Sequence, residues 1–302
     1  MAIDSDFLLD RRRLKRQLTF WRLAAVGLFV AAAIAIIART AFWPVGQHVA
    51  RIEIDGVIGS DRDRDAAFDR IAEDDQVKAL IVVIDSPGGT VVGGETLYSN
   101  LRAVAKHKPV VAVMGDVATS AAYMTALGSD RIFAREGTVT GSIGVILQTA
   151  DVTGLLDRIG IKPETIKSSA LKAQPNPFET FTPEAREATR KVVLDIYDGF
   201  VRLVQERRGL TREQTMRLAD GRVFSGNQAL ANGLVDELGG IEEARLWLKT
   251  SHNIDTRLPL RLIEIEAPED RLADMFGVVF RKLVSYERLS LDGVVSLWHA
   301  GQ

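Results

Sequence analysis

The sequence contains no cysteine, which excludes disulfides and thiolate metal sites but leaves the compartment open, since a periplasmic protein can simply lack cysteine. Histidine is scarce: only His48, His107, His252 and His299 occur, none in an HExxH or paired-ligand spacing. A zinc site is therefore not expected, and no other metal or cofactor is implied. The net charge of -2 lacks the basic excess of a nucleic-acid partner. No GxxxxGK[ST] phosphate loop is present; Gly88-Gly89 and Gly93-Gly94 lack the lysine such a loop requires. The GxGxxG dinucleotide fingerprint is also missing from the first strand-to-helix turn.

What is present divides unevenly along 302 residues, a length that suits one or two domains. Hydrophobic residues make up 46% of the chain, and one segment holds much of the excess. Residues 1–20 form a polar tail with a basic cluster, Arg11, Arg12, Arg13, Lys15 and Arg16. Leu23 to Ala38 then runs without a charge, bracketed by Phe20-Trp21 and Phe42-Trp43. Residues 21–43 can cross a hydrocarbon core, with Arg22 and Arg39 snorkelling at its ends. A buried core helix and a cleaved signal peptide are the rivals. The first rarely has such flanks; the second needs a shorter apolar core and a small-x-small site, which is not evident. The expectation is an uncleaved single-pass anchor in the inner (cytoplasmic) membrane. By the positive-inside rule the N-terminus lies inside and the rest in the periplasm.

From residue 44 the pattern changes to alternating strands and helices. Val49–Ile54 alternates as a strand ended by Asp55-Gly56, and Asp65–Ala72 predicts a helix. Ala79–Ile84 is an apolar strand of the kind buried on both faces, running into a Gly-rich turn at Asp85-Ser86-Pro87-Gly88-Gly89. A helix over Glu95–Lys106 and a strand over Pro109–Met114 follow. Further expectations are a strand at Asp130–Ala134, a loop over Gly137–Val145, a helix closing at Gly160 and a strand at Glu164–Lys167. Ser168–Phe181 reads as an excursion, and a long helix starts at Thr182-Pro183 and runs to about Arg208. Gly221–Gly240 suggests a strand, a short helix and a Gly-capped close, with a last core helix over Ile241–Lys249. The domain thus spans 44–250 and is of the α/β class, in which sites gather at the C-terminal ends of strands. Residues 251–302 form a C-terminal extension for packing or oligomer contact. It holds an alternating run at Leu260–Ile265 and an apolar helical face through Leu272, Met275, Phe276, Val279, Phe280 and Leu283, which suits the core, a second subunit or a membrane surface.

One stretch concentrates chemistry. The Pro109–Met114 strand stops at Gly115-Asp116, and a helical run begins near Ser120. A serine between a strand end and a helix start is exposed to a ligand, and the first helical N–H groups can donate to an oxyanion. The ordinary alternative is an N-cap serine. A serine nucleophile needs a base, and the four histidines are poorly placed for it. A lysine kept neutral by burial can do this work; Lys172, flanked by Ala170, Leu171 and Ala173, differs from the others, although its pattern alone does not select it.

Five motifs occur in a fixed order: Asp85-Ser86-Pro87-Gly88-Gly89, Thr119-Ser120-Ala121-Ala122-Tyr123, Thr140-Gly141-Ser142-Ile143-Gly144-Val145, Ile166 to Lys172, and Gly221 to Asp236. As an ordered set they resemble the signal peptide peptidase A family of membrane-anchored Ser–Lys peptidases, over about residues 49–250. The resemblance implies the Clp protease–crotonase fold, a curved sheet flanked by helices. It implies Ser120 as nucleophile, Lys172 as general base and Ser142 as the serine that orients the lysine. Gly89, or less so Gly88, and the N–H of Ala121 would form the oxyanion hole. Two departures stand out: Ala121-Ala122 replaces the family's frequent Gly-Gly, and Ala173 replaces an Asp after the lysine. The implied substrates are hydrophobic peptides such as signal-peptide remnants, and the implied assembly is a homo-oligomer whose sites are shared between subunits. A crotonase-like acyl-CoA enzyme is the alternative suggested by Gly233-Leu234-Val235-Asp236, and a catalytically inactive membrane scaffold is another. Ser86 is the next candidate nucleophile after Ser120.

Overall fold

The computed structural model describes residues 17–32, 46–263 and 295–297. The chain divides into two units, Met1–Gly46 and Gln47–Gln302. In the first, residues 17–32 form a helix, α1, with exposed side chains. Among the described residues no helix is long and apolar enough to cross a membrane. The expected anchor at 21–43 lies partly outside them, as does the expected helical face from Leu272 to Leu283.

The second unit is built on one sheet. Strands β1 (His48–Ile58), β2 (Val77–Thr90) and β3 (Val110–Thr119) pair in parallel, joined by helices α2 (Arg62–Glu73) and α3 (Val91–Ala105). β2 alternates Leu80, Val82 and Ile84 into one apolar cluster, with Ala79 and Ile81 in the other. Burial on both faces explains why its sequence is continuously apolar. α2, α3 and the later helix α6 (Pro183–Arg208) contribute to the first cluster, through Phe68, Leu97, Leu101, Phe200 and Val204. α9 (Ile241–His252) covers the second with Ala244 and Leu248. Each such Leu, Val or Phe side chain contributes about 1.5–3 kcal/mol when taken from water. The α/β class expected from the strand–helix alternation is the class observed.

All three central strands extend past their expected ends. β1 continues through Asp55-Gly56 to Ile58, β2 through Pro87-Gly88-Gly89 to Thr90, and β3 through Gly115-Asp116 to Thr119. The expected stops are instead irregularities of register, between Asp55 and Val57 in β1 and between Ile84 and Ser86 in β2. Opposite the latter, β3 spends the residues between Met114 and Ala118. The Asp85 carboxylate accepts from Val117 N (3.0 Å) and packs where a side chain on Gly115 would sit. Bulges at one level of neighbouring strands bend a sheet, and turn-forming residues serve them as well as they serve turns.

The bend splits β3 between two partners. Its first half pairs with β4 (Arg131–Ala134) and its second with β5 (Val139–Gly141), a strand inside the expected Gly137–Val145 loop. β5 pairs antiparallel with β6 (Val223–Ser225), and β4 pairs with β7 (Glu237–Leu238). The path runs β6-β5-β3-β2-β1-β8, where β8 (Leu260–Leu262) adds in parallel to the outer edge of β1. Glu164–Lys167, expected as a strand, is irregular and exposed apart from the half-buried Lys167's neighbourhood, and it pairs with no strand among the described residues. Helix α4 (Ala121–Ala126) follows β3, and α5 (Thr153–Arg158) precedes the excursion. α6 begins as expected, with Thr182 capping Ala185 N and Pro183 in the first turn, and ends at Gly209 in the left-handed conformation. α7 (Arg212–Leu218) is an additional short helix opened by a reciprocal capping box of Thr211 and Gln214. Ser225 and Gln228 make the same box for α8 (Gly226–Ala231).

Candidate active site

Ser120 follows the last residue of β3 and precedes α4. Its backbone lies at φ 57°, ψ −119°, a conformation a non-glycine residue rarely adopts. Ser120 stands at the N-cap position of α4, but its side chain makes no capping hydrogen bond. Its Oγ is buried and has no hydrogen-bond partner within the chain. A positive φ costs about 1–3 kcal/mol and is held only where neighbours impose it. Here Ser120 N donates to Gly141 O (2.8 Å), and Met124 N donates to Ser120 O (2.9 Å). Ala121, Ala122 and Tyr123 behind it are completely buried. A side chain on Gly94 of α3 would press on Ala121 at 3.1–3.2 Å, so α3 and α4 pack through small residues. Ala121 lies within a right-handed helix, so the Ala121-Ala122 departure needs no positive φ.

Ser142 stands beside Ser120. Thr119 pairs with Gly141 across the parallel strands β3 and β5, and each serine is the residue that follows its strand. Ser142 is likewise at positive φ (49°), nearly buried, and fixed by its N–H to Arg222 O (2.9 Å). Gly141 before it is at φ 87°, and a side chain there would meet the Phe224 ring at 2.6 Å.

The Pro87-Gly88-Gly89 segment reaches the same place. Thr119 Oγ1 donates to Pro87 O (2.9 Å), tying the end of β3 to β2 one residue before Ser120. The two glycines behave differently. Gly88 N donates to Ser86 Oγ (3.1 Å), so that N–H already has a partner inside the chain. The buried Ser86 is thereby a local brace of this segment. Gly89 pairs with Ile58 of β1, and a side chain there would lie 1.9 Å from Ile58 O. The glycine is required by close backbone approach.

Within one chain Lys172 makes no hydrogen bond to the Ser120 hydroxyl, which has no partner. The lysine is exposed, in a turn where its N–H donates to Ser169 O (3.2 Å). The excursion closes on itself: Lys167 pairs with Glu179, whose carboxylate also accepts from Gln174 Nε2 (2.6 Å). Those bonds lower the Glu179 carboxylate pKa, the Lys167 bond being the largest cause. Val152 N donates to Pro177 O (3.0 Å) and pins the loop beside α5.

The histidines stay apart from this site. His48 and His107 lie at the N-terminal ends of β1 and β3, away from Ser120 at a strand C-terminus, and His252 packs on Trp247. His299 is outside the described residues. Gly233-Leu234-Val235-Asp236 serves as a clamp. Tyr123 Oη donates to Leu234 O (2.9 Å), and Arg208 of α6 donates to Gly233 O and both Asp236 oxygens (2.7–3.1 Å). Asp236 also accepts from Ile132 N (2.8 Å), so the clamp joins α4, α6 and β4.

The profile of Peptidase family S49 matches residues 102–255, which carry Ser120, Ser142 and Lys172. The chain belongs to Peptidase family S49. A Synechocystis sp. protein provisionally named as a protease, slr0021, is 37% identical over 241 residues, 78% of this S49 chain and 86% of the relative. The chloroplastic serine protease SPPA of Arabidopsis thaliana is 31% identical over 229 residues, 74% of this chain and 33% of the relative. Protease 4 of Haemophilus influenzae is 30% identical over 216 residues, 68% and 35% of the two chains. The S49 chain therefore spans most of the first relative and about a third of the other two. Two solved structures are similar at 18% identity: a point mutant of ClpP1 from Listeria monocytogenes (TM-score 0.43, 63% of this chain and 91% of that one), and a mutant of the 1510-N membrane-bound stomatin-specific protease (TM-score 0.44, 73% and 99%).

Proposed function

We propose that this chain is a serine endopeptidase in which Ser120 is the nucleophile and Lys172 the general base. The observation that carries the reading is the state of Ser120: a strained backbone and a buried hydroxyl left without an internal partner. A buried hydroxyl costs free energy when unpaired, and such cost and strain gather at sites that hold a group ready for a ligand. Membership of a peptidase family supports the reaction class.

In the proposed reaction unprotonated Lys172 takes the Ser120 proton as Oγ attacks a peptide carbonyl. The tetrahedral oxygen is held by N–H groups of Gly89 and Ala121, a contribution of about 3–4 kcal/mol per donor. The C–N bond breaks, and the lysine proton passes to the leaving amine. Water, deprotonated by the same lysine, then hydrolyses the acyl ester and regenerates Ser120. Ser142, which follows the adjacent strand β5, orients the lysine amine.

The lysine reaches this position in a homo-oligomer, delivered by the excursion of a neighbouring subunit. The exposure of Lys172 supports this, as does the apolar surface on the same arm, where Ile146, Leu155, Ile159, Ile161, Leu171 and Phe178 are all exposed in the single chain. The proposed setting is the periplasmic side of the cytoplasmic membrane, held by residues 21–43, with hydrophobic peptides such as signal-peptide remnants as substrates. The basic cluster and the apolar run support that placement.

Cleavage of a hydrophobic peptide by the purified protein, with Ser120→Ala as control, tests the assignment. Activity should fall at least about a thousandfold; equal cleavage by both proteins would sink it. An inactive scaffold would show no cleavage by either.

A further inference from the structure

The backbone pairing of β2 with β3 ends at Ser86 and Ala118. The next tie between these strands is a side chain: Thr119 Oγ1 donates to Pro87 O (2.9 Å). Ser86 Oγ meets Gly88 twice, accepting from Gly88 N (3.1 Å) and donating to Gly88 O (3.3 Å). Both residues are buried. Two hydroxyls from two strands thus act on two successive peptide units. The Pro87–Gly88 unit is held at its carbonyl by Thr119 and at its N–H by Ser86. The Gly88–Gly89 unit is held at its carbonyl by Ser86. A trans peptide is planar, with its C=O and N–H pointing in opposite directions. What fixes Gly88 O therefore also aims the N–H of Gly89, the proposed oxyanion donor.

We propose that Ser86 and Thr119 are positioning residues that together hold the Gly89 N–H in its donating orientation. The inference rests on the peptidase reading for what that N–H does; the hydrogen bonds stand apart from it. The orientation needs a brace, because glycine opposes backbone rotation weakly and this unit has a glycine at each end, with Gly88 at φ 106°. Pairing with β1 and with β9 (Val295–Leu297) sets where the two glycines lie. A peptide plane can still turn between Cα atoms that stay in place. An oxyanion hole works through donors aimed before the charge develops. Thr119 immediately precedes Ser120, so its bond to Pro87 O links the placing of the nucleophile to that of the donor.

Thr119→Val removes one hydroxyl and Ser86→Ala the other, while Thr119→Ser keeps the donor. Hydrogen exchange of the Gly89 amide, to which neither hydroxyl bonds, reads the orientation in the full chain without any activity. It should speed about tenfold in Thr119→Val and in Ser86→Ala and stay unchanged in Thr119→Ser. A donor that meets only the tetrahedral oxygen adds to kcat and not to substrate binding. With a hydrophobic peptide, the first two variants should lower kcat about tenfold to a hundredfold, short of the loss of a whole donor, with KM within about twofold. Assays below each melting temperature exclude loss by unfolding, and Ser86→Ala carries the test should Thr119→Val not fold. Unaltered Gly89 exchange in both variants would leave the orientation to strand pairing and overturn the proposal. Faster exchange with unaltered kcat, or a loss carried by KM alone, overturns the role in the oxyanion hole. A Thr119→Ser variant as impaired as Thr119→Val assigns the effect to packing and overturns the role of that hydroxyl. Failure of the peptidase reading would appear separately, as absent cleavage by the unaltered chain with Gly89 exchange still responding, which removes the catalytic purpose of the brace and leaves the brace itself.

Discussion

Ser120 holds an uncomfortable conformation for a reason visible around it. Its N–H is committed to Gly141 and its carbonyl to Met124, while the chain must turn from strand to helix within one residue. The hydroxyl is then buried without a partner. Ser120→Ala removes an unsatisfied polar group and leaves the backbone as it was. It should raise stability by about 1 kcal/mol, a few degrees in melting temperature, as it abolishes cleavage. A destabilised Ser120→Ala would mean that the hydroxyl is structurally paired. Gly89 is constrained differently. With Ile58 O 1.9 Å from a Cβ position, Gly89→Ala must push β1 and β2 apart. A loss of about 3 kcal/mol or more is expected in denaturant unfolding, because neither contact is a flexible side-chain end.

At the scale of elements, α4 is short and owes its position to what lies behind it. The Gly233–Asp236 clamp takes the Tyr123 hydroxyl and the Arg208 guanidinium together. Burial pushes the Tyr123 phenol well above its free value. Tyr123→Phe leaves Leu234 O unpaired and should cost about 1–3 kcal/mol at pH 8. A phenol that binds its proton more tightly when folded contributes stability that is intact below the unfolded value of about 10 and is lost as pH rises above it. The difference between wild type and Tyr123→Phe should therefore shrink between pH 8 and 11 in urea titrations. A constant difference would contradict the burial of that phenol. The same clamp accounts for a tetrapeptide that by sequence alone suggests an acyl-CoA enzyme: in this fold it joins helices. α7 shows the converse, since its Thr211–Gln214 box was legible but its short span offered little periodicity.

The whole molecule poses the question of how an exposed Lys172 meets a buried Ser120. Proteins carrying Ser120→Ala and Lys172→Ala, each inactive, should regain a measurable fraction of activity when dissociated and reassembled together, as sites combining one intact residue from each subunit form. No recovery would place both residues in one chain and require the excursion to fold back, against the Lys167–Glu179 closure that holds it. A multi-subunit size in solution should accompany recovery, because the exposed apolar arm then becomes an interface.

Much of this could be read from residue order. The apolar runs at Ala79–Ile84 and Pro109–Met114, separated by a helical period, determined an α/β sheet, and Thr182-Pro183 determined where the long helix begins. The absence of usable histidines and the ordered motifs drew Ser120, Ser142 and Lys172 together as candidates. Tertiary structure decided what local signals cannot carry. Asp85-Ser86-Pro87-Gly88-Gly89 and Gly115-Asp116 look like turns because bulges need the same residues as turns. Only pairing with neighbours keeps them inside strands. The unpartnered burial of the Ser120 hydroxyl and the place of Ser120 and Ser142 just after paired strands depend on contacts between residues far apart in sequence. Those contacts exist only once the sheet has bent and β3 has been divided between β4 and β5.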